Sequence, residues 1–303
     1  MGHEAPLQAE TGQTIACNLC GGHEAVHLFR KFDFDLVRCS TCGLAYVGNP
    51  PDAAAVEAFY SAQADYHNEL LDPTHPSFGR MQEIARQHVK MLKRSIPDLT
   101  GLKVLDVGCS SGLFLDEVRK EGALAFGAEL SPDTASFARK HFGLVVHNGD
   151  WRSAGYGPAN FDVITLFDVI EHLPDPLAEL EALLPLLKPD GIILQSTPDI
   201  EGLFPRLSYP LAKPLDYWPH PEPPHHLFQF SEKTLSAMVE KAGFRVTRAD
   251  QTNIYLSYSF GTPKHWRASP KSLAYAALFA PVAALAPLLG MGDWLYLAAK
   301  RPA

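Results

Sequence analysis

Basic charge is what this 303-residue sequence has least of: 26 Lys and Arg stand against 34 Asp and Glu, a formal net charge of −8 with a pI near 5.9. With no cationic surplus to displace counterions, a nucleic-acid backbone is disfavoured as the main partner. The first residues, MGHEAPLQAETGQT, lack a basic stretch followed by an apolar run. They do not read as a secretory leader, and the protein is expected in the cytoplasm. Cysteine is scarce and odd in number: of five, four fall into two CxxC pairs, Cys17/Cys20 and Cys39/Cys42, while Cys109 stands alone. That pattern suits a metal better than a disulfide framework. The phosphate-cradling pattern GxxxxGKS/T is missing, as are internal repeats and low-complexity tracts.

What is present is core material, 46% hydrophobic residues, enough for one large domain and a small accessory one. The two knuckles Cys17-Asn18-Leu19-Cys20-Gly21 and Cys39-Ser40-Thr41-Cys42-Gly43 flank a stretch that can make a hairpin. Four thiolates at this spacing can close a tetrahedral shell around Zn²⁺ and leave no position for water, so a structural zinc ribbon is expected over residues 1–50. So short a unit has little apolar surface, and the metal is expected to supply most of its folding free energy. The run Gly48-Asn49-Pro50-Pro51-Asp52 marks a linker. Residues 51–100 then read as a helical lid, with Met81, Ile84, Ala85, His88, Val89 and Leu92 recurring at helical spacing.

From residue 101 to 303 short apolar runs alternate with helix-period segments, the pattern of a doubly wound, mostly parallel α/β sheet. Strands are expected at Lys103–Val107, Leu124–Ala128, Leu144–Val146, Val163–Phe167, Ile192–Ser196, Phe244–Ala249 and Trp294–Ala298, seven in all. Helices are expected from Ser111 to Glu121, from Ser131-Pro132, from Asp175-Pro176 to near Gly191, and from Ser231 to Gly243.

The segment Val104-Leu105-Asp106-Val107-Gly108-Cys109-Ser110-Ser111-Gly112 ends a strand and opens a helix, where glycines let the backbone turn sharply and approach a ligand. Glu129 follows about twenty residues on, placed to accept hydrogen bonds from ribose hydroxyls. The ordered set VLDVGCSSG, GAELSP, NGDW, FDVITLFDVIEHLPDP and PDGIILQSTP resembles the class I S-adenosylmethionine-dependent methyltransferases over roughly Leu102 to Lys300. The resemblance implies a Rossmann-like seven-stranded fold that binds S-adenosylmethionine. It implies that Asp106, Gly108, Cys109, Ser110 and Gly112 form the turn holding the methionine part, with Glu129 and Leu130 at the ribose. Asp150 and Trp151 would meet the adenine, and Phe167 would face the cofactor. Ser110 stands where that family usually has glycine. Bland readings stand beside these: Glu129 as a helix-start carboxylate, Asp150 as ordinary turn chemistry, Cys109 as a small packing residue. Ribbons with a CGL-like sequence precede the methyltransferase domain in a subgroup of that family with diverse substrates.

An oxygen or nitrogen acceptor needs a base near the carboxyl ends of the strands. Asp168, Glu171 and His172 follow the fourth expected strand, and His172 is the first candidate; its alternative is a role in starting a helix. A stiff cluster from Trp218 to Phe228 carries His220, His225 and His226. His225 or His226 could be a base, could bind a divalent metal that orients a diol or catechol, or could cap a loop carbonyl. Leu273–Leu289, within an apolar insertion at residues 272–290, is nearly uncharged, yet it is short for a span and is interrupted by Pro281 and Pro287. Three readings stay open for it: an insertion packed on the core, a homodimer face, or a surface that meets lipid or a lipid-like substrate such as a prenyl quinone or lipid-linked sugar. The leading expectation is an O-methyltransferase of a small molecule. The alternatives are a sugar-carbon or RNA-base methyltransferase, and a non-catalytic cofactor-binding module acting through its ribbon. The sugar-carbon enzymes with such ribbons usually carry a further C-terminal domain, and RNA would call for a basic face.

Overall fold

The structure is a computed structural model and describes residues 15–62, 70–215, 223–253, 260 and 270–302. The chain begins with three short antiparallel strands, β1 (Ala25–Lys31), β2 (Phe34–Cys39) and β3 (Ala45–Val47). Two helices follow, α1 (Ala53–Ala62) and α2 (Pro76–Lys93). On α2 the side chain of His75 accepts from Ser77 N at 3.2 Å and Pro76 opens the first turn, a start that leaves few orphan donors. Ile84, Ala85, His88, Val89 and Leu92 are buried along one face of it, as their spacing predicts.

The main body is strand–helix alternation: β4 (Lys103–Val107), α3 (Leu113–Lys120), β5 (Leu124–Glu129), α4 (Pro132–Phe142), β6 (Val145–Asn148), β7 (Phe161–Phe167), α5 (Pro176–Leu183) and β8 (Leu187–Pro198). After these come α6 (Leu203–Leu215), β9 (Phe228–Gln229), α7 (Glu232–Lys241), β10 (Arg245–Thr252), α8 (Pro270–Leu285) and β11 (Trp294–Lys300). Seven strands make one sheet in the order β10-β11-β8-β7-β4-β5-β6. The run from β8 to β6 is parallel, and β11 enters antiparallel between β8 and β10. Helices cover both faces. Val104, Val163, Leu194 and Tyr296 point to the layer of α2, α3 and α4. Leu105, Ile164, Leu166, Ile193 and Leu297 point to α5 and α7. Burial on both faces is why these strands read as continuous apolar runs.

The expected elements are present with shifted ends, each for a local reason. Helix α3 starts at Leu113 with Gly112 at φ 82° as its cap, so Ser111 is not the capping residue. At α4 the Ser131 side chain makes no cap bond, and the carboxylate of Glu129 accepts from Ser131 N at 2.8 Å. Helix α5 stops at Leu183 rather than near Gly191: Pro185 sits in the 3₁₀ turn Leu184–Leu186, lacks a donor, and hands the chain to β8. Ser231 and Thr234 form a reciprocal capping box at α7.

The cysteine-bearing strands are not a free-standing bead. Their sheet runs β1-β2-β3-β9, so its last strand comes from the segment just after His225 and His226. Leu19, Val37, Leu44 and Tyr46 lie in the same core as the α5–α7 face of the main sheet. Asn18 donates to Asp175 and accepts from Leu177 N at the start of α5, while Lys241 of α7 donates to Leu19 O at 2.6 Å. The ribbon therefore has an apolar seat as well as its metal, more than its length alone suggests.

Candidate active site

Parallel strands deliver their carboxyl ends to one edge, and a cavity of about 1160 Å³ lies there, lined by the ends of β4, β5 and β7, by α1 and α2, and by the His226 segment. Pockets for one small ligand run to roughly 300–1,000 Å³, so this one has room for a cofactor and a second molecule.

The turn after β4 is held by its backbone. Gly108 and Cys109 both donate to Ala128 O, at 2.8 and 3.2 Å. Gly108 has φ 74°, and a Cβ there would come within 2.7 Å of Val169. Ser110 also adopts a left-handed φ of 48°, where glycine is the unstrained residue. Its amide donates to Glu129 Oε2 at 2.8 Å, and its buried hydroxyl has no hydrogen-bond partner among the described residues. Gly112 lies behind the turn, against Ala138 and Leu144, and does not line the cavity. The Cys109 thiol packs where Gly127 leaves space, and burial first, then Glu129 and Asp106, push its pKa well up. That environment keeps it a thiol rather than a nucleophile.

Three carboxyls ring this half. Asp106 accepts from Thr165 Oγ1 at 2.6 Å, and its pKa is raised to about 7, chiefly by burial, with Glu129 and Asp168 adding repulsion. Glu129 accepts from the Ser110 and Ser131 amides at 2.8 Å each, one on each oxygen, yet burial outweighs them and raises its pKa. It thus pins both the turn and the start of α4 while lining the cavity, which joins the functional and helix-start readings. Asp168, at φ 57°, accepts from Ser196 Oγ at 2.5 Å and from the Trp294 indole at 3.1 Å; burial raises its pKa to about 6.

Along the adjoining wall Asp150 caps a short 3₁₀ turn by accepting from Arg152 N at 2.7 Å. Buried Trp151 donates its indole N–H to Glu179 at 2.5 Å. Arg152 lies over the Trp151 ring at 4.6 Å and pairs with the same Glu179. Leu130 completes that wall. Phe167 lines the cavity and is stacked on His88, ring centroids 4.0 Å apart. His88 bonds the Tyr296 hydroxyl at 2.8 Å, and burial lowers its pKa to about 3, so it is a neutral aromatic shelf.

The opposite end is built by side chains from distant segments. His172 Nδ1 lies 2.8 Å from both Tyr60 Oη of α1 and His225 O. A carbonyl can only accept, so Nδ1 carries the ring proton and the basic lone pair is on Nε2. Glu171 is buried beside it, and Glu171, His172 and His226 bring one ligand atom each within 4.8 Å of one another, a group able to hold a cation. Of the three expected catalytic histidines, His172 and His226 line the cavity; His225 instead gives its carbonyl to His172 and packs its ring 5.2 Å from Phe59. Trp218 to Glu222, with His220, lie outside the described residues.

The profile of a methyltransferase-domain family matches residues 78–249, more than half the chain. The chain belongs to the class I S-adenosylmethionine-dependent methyltransferases. A ubiquinone biosynthesis O-methyltransferase from Haemophilus ducreyi is 35% identical over 109 residues, 33% of this chain and 46% of that relative. The chain thus spans about half the length of the curated relatives it matches. Among solved structures, magnesium protoporphyrin IX methyltransferase from Synechocystis with bound SAH is similar with a TM-score of 0.54 and 15% identity, over 82% of this chain and 100% of that one. A methyltransferase from Thermotoga maritima, a possible histamine N-methyltransferase, gives 0.53 and 18%, over 81% and 99%. At these identities the structures speak for the fold.

The methyltransferase's residues fit its cofactor. Acidic groups around Asp106, Glu129 and Asp168 suit a ligand bearing a sulfonium, and the close approach at Gly108 and the aromatic walls suit its flat and narrow parts. The four ribbon cysteines fit their metal as well. Cys17 Sγ and Cys42 Sγ are 3.5 Å apart, Cys20 and Cys39 3.4 Å, and all four sulfurs lie within 4.8 Å. A tetrahedral Zn–S shell needs sulfurs about 3.8 Å apart, while a disulfide needs about 2.05 Å. The knuckles repeat one geometry: Gly21 N donates to Cys17 O and Gly43 N to Cys39 O, with φ 74° and 84° at the glycines.

The sequence reading passed over several groups. Asp168 and Glu171 were visible in DVIEH but gave no hint of their burial. Tyr60, His88, Ser196 and Trp294 reach the site through folding contacts that no local pattern records.

Proposed function

We propose that this methyltransferase transfers a methyl group to the hydroxyl of a small, largely apolar aromatic or lipid-like acceptor, working in the cytoplasm. The observation that carries the reading is the pair of 2.8 Å contacts that His172 Nδ1 makes with His225 O and Tyr60 Oη at the cavity wall, which assign the ring proton to Nδ1 and the basic lone pair to Nε2. The bound cofactor supplies an electrophilic methyl carbon on a sulfonium. Gly108, Ser110, Glu129, Leu130, Asp150, Trp151 and Phe167 would hold its parts at the strand ends, and Asp106 and Asp168 would balance its charge. His172 would take the proton of the acceptor's hydroxyl, readying that oxygen for the methyl group. Glu171 and His226 would orient the acceptor, directly or by holding a divalent cation. Residues 1–50, 51–100 and 101–303 act as ribbon, lid and catalytic domain.

The name carried by the curated relatives supports oxygen as the acceptor atom and a quinone-pathway phenol as its class. No observation favours a sugar carbon or an RNA base. The test supplies methyl-labelled S-adenosylmethionine with catechols, prenylated phenols, nucleotide sugars and RNA, with and without Mg²⁺. Label in an aryl methyl ether is expected. Label on a sugar or on RNA, or failure to bind S-adenosylmethionine, would overturn the reading.

A further inference from the structure

Helix α8 and the 3₁₀ turn Ala286–Leu289 after it have two apolar faces, of which the protein uses one. Tyr275, Ala276, Phe279 and Ala283 pack against Phe204 of α6 and Phe260. On the other side Leu273, Leu278, Leu285, Leu288 and Leu289 are 49%, 58%, 59%, 82% and 68% exposed, and the exposed positions between them are alanine or proline. Leu207 of α6, the helix whose Phe204 packs under α8, is exposed too. Among the described residues, Ser272–Leu289 is the one stretch apolar and long enough to cross a membrane. It does not cross: Trp294 onward returns as β11, between β8 and β10 of the sheet from which the chain had left.

We propose that this face docks on an anionic bilayer, with α8 lying in the plane of the headgroups. Charge argues for lipid over a second copy of the chain. Between Asp250 and Asp293 there is no acidic residue, whereas Lys264, Arg267 and Lys271 are all present, with Trp266 among them. In a protein of net charge −8 such a segment is a local reversal. Two copies meeting through it would bring like charges together, while anionic headgroups would complement them. A helix with an uncharged leucine face, preceded in sequence by cations and a tryptophan, has the composition of one that lies on a membrane. The docking face stands on packing and charge, independently of the proposed reaction. It also gives that reaction a supply route: Phe204, which holds α8 from beneath, lines the cavity.

Co-sedimentation of the zinc-loaded protein with vesicles tests this, without any acceptor present. Wild type is expected to pellet with phosphatidylglycerol-containing vesicles and less with pure phosphatidylcholine, and added salt should weaken binding. L288E and L285E should each lower partitioning by roughly tenfold or more. Their affinity for S-adenosylmethionine should stay at the wild-type value, which shows them folded. A protein that stays in the supernatant with both vesicle types overturns the proposal. So does a wild-type dimer in light scattering that L288E converts to monomer, since the face would then belong to a second copy.

Discussion

The two ends of the cavity are built by different means. The end proposed for the cofactor is a product of backbone: one turn after β4, one carboxylate after β5 and one cap after β6, all close in sequence to the strands that place them. The end proposed for the acceptor is a product of long-range contacts, with Tyr60, His172 and the His225 carbonyl arriving from positions up to 165 residues apart and meeting only when α1, the end of β7 and the segment before β9 are assembled. The first should therefore survive damage elsewhere in the molecule, and the second should not.

Metal removal is the hardest blow to that contrast. Structural zinc in small domains is worth apparent free energies of about 10–16 kcal/mol. Chelation, or Cys39→Ser, is expected to cause the largest fall in melting temperature and to abolish turnover. Cofactor affinity, measured by calorimetry where the protein is still folded, should change by less than about threefold. If cofactor and acceptor functions fail together, the two ends are not separable.

His172→Ala should lower kcat by roughly 10²–10⁴ while leaving S-adenosylmethionine affinity intact, since it removes a base and no cofactor contact. Single-turnover kinetics separates the two. Glu129→Ala is the mirror case. It should weaken cofactor binding by about 1.5–3 kcal/mol, with most of the loss recovered neither by Gln nor by salt, and kcat at saturation should fall far less.

A pH series sharpens the same division. Asp106 and Asp168 are raised to about 7 and about 6, so the ligand-free protein binds protons that its unfolded chain would release. Their contribution to stability is then fully present below the ordinary carboxylate range and is lost as pH rises toward 7. A cationic cofactor favours the ionised forms. Its affinity should fall as pH drops below about 7, with proton release on binding seen in buffers of different ionisation enthalpy. S-adenosylhomocysteine, lacking the sulfonium, should show a shallower dependence. Smallest of all, Ser110→Gly should raise the melting temperature by the equivalent of about 1 kcal/mol or less, by relieving a left-handed serine.

This division also explains what could be read in advance. Strands β4 and β7 and the starts of α4 and α7 are legible because their causes are local: apolar runs, a proline in the first turn of α4, Ser231 as the cap of α7. The cysteines declared their cluster by spacing alone. Helix α5 ends short of Gly191 because Pro185 stops it. His88 was legible as a buried position and illegible as the shelf under Phe167, because stacking depends on where α2 docks against the sheet. His225 and His226 looked equivalent as neighbours; only the path of the loop turns one ring into the cavity and uses the other residue's carbonyl.

One residue joins what the cavity divides. Leu227, buried, donates its amide to Glu171 O at 2.8 Å and offers its carbonyl to Val47 N of β3 at 2.8 Å. A single residue thus joins the Glu171 segment to the cysteine ribbon, and thermodynamic linkage through such a joint is reciprocal. Whatever energy the zinc contributes to ordering the histidines, an acceptor seated on those histidines must return as tighter retention of zinc. Metal release into a chelator would then slow in proportion to acceptor occupancy, which makes the ribbon a gauge of the occupancy of a site that it never touches.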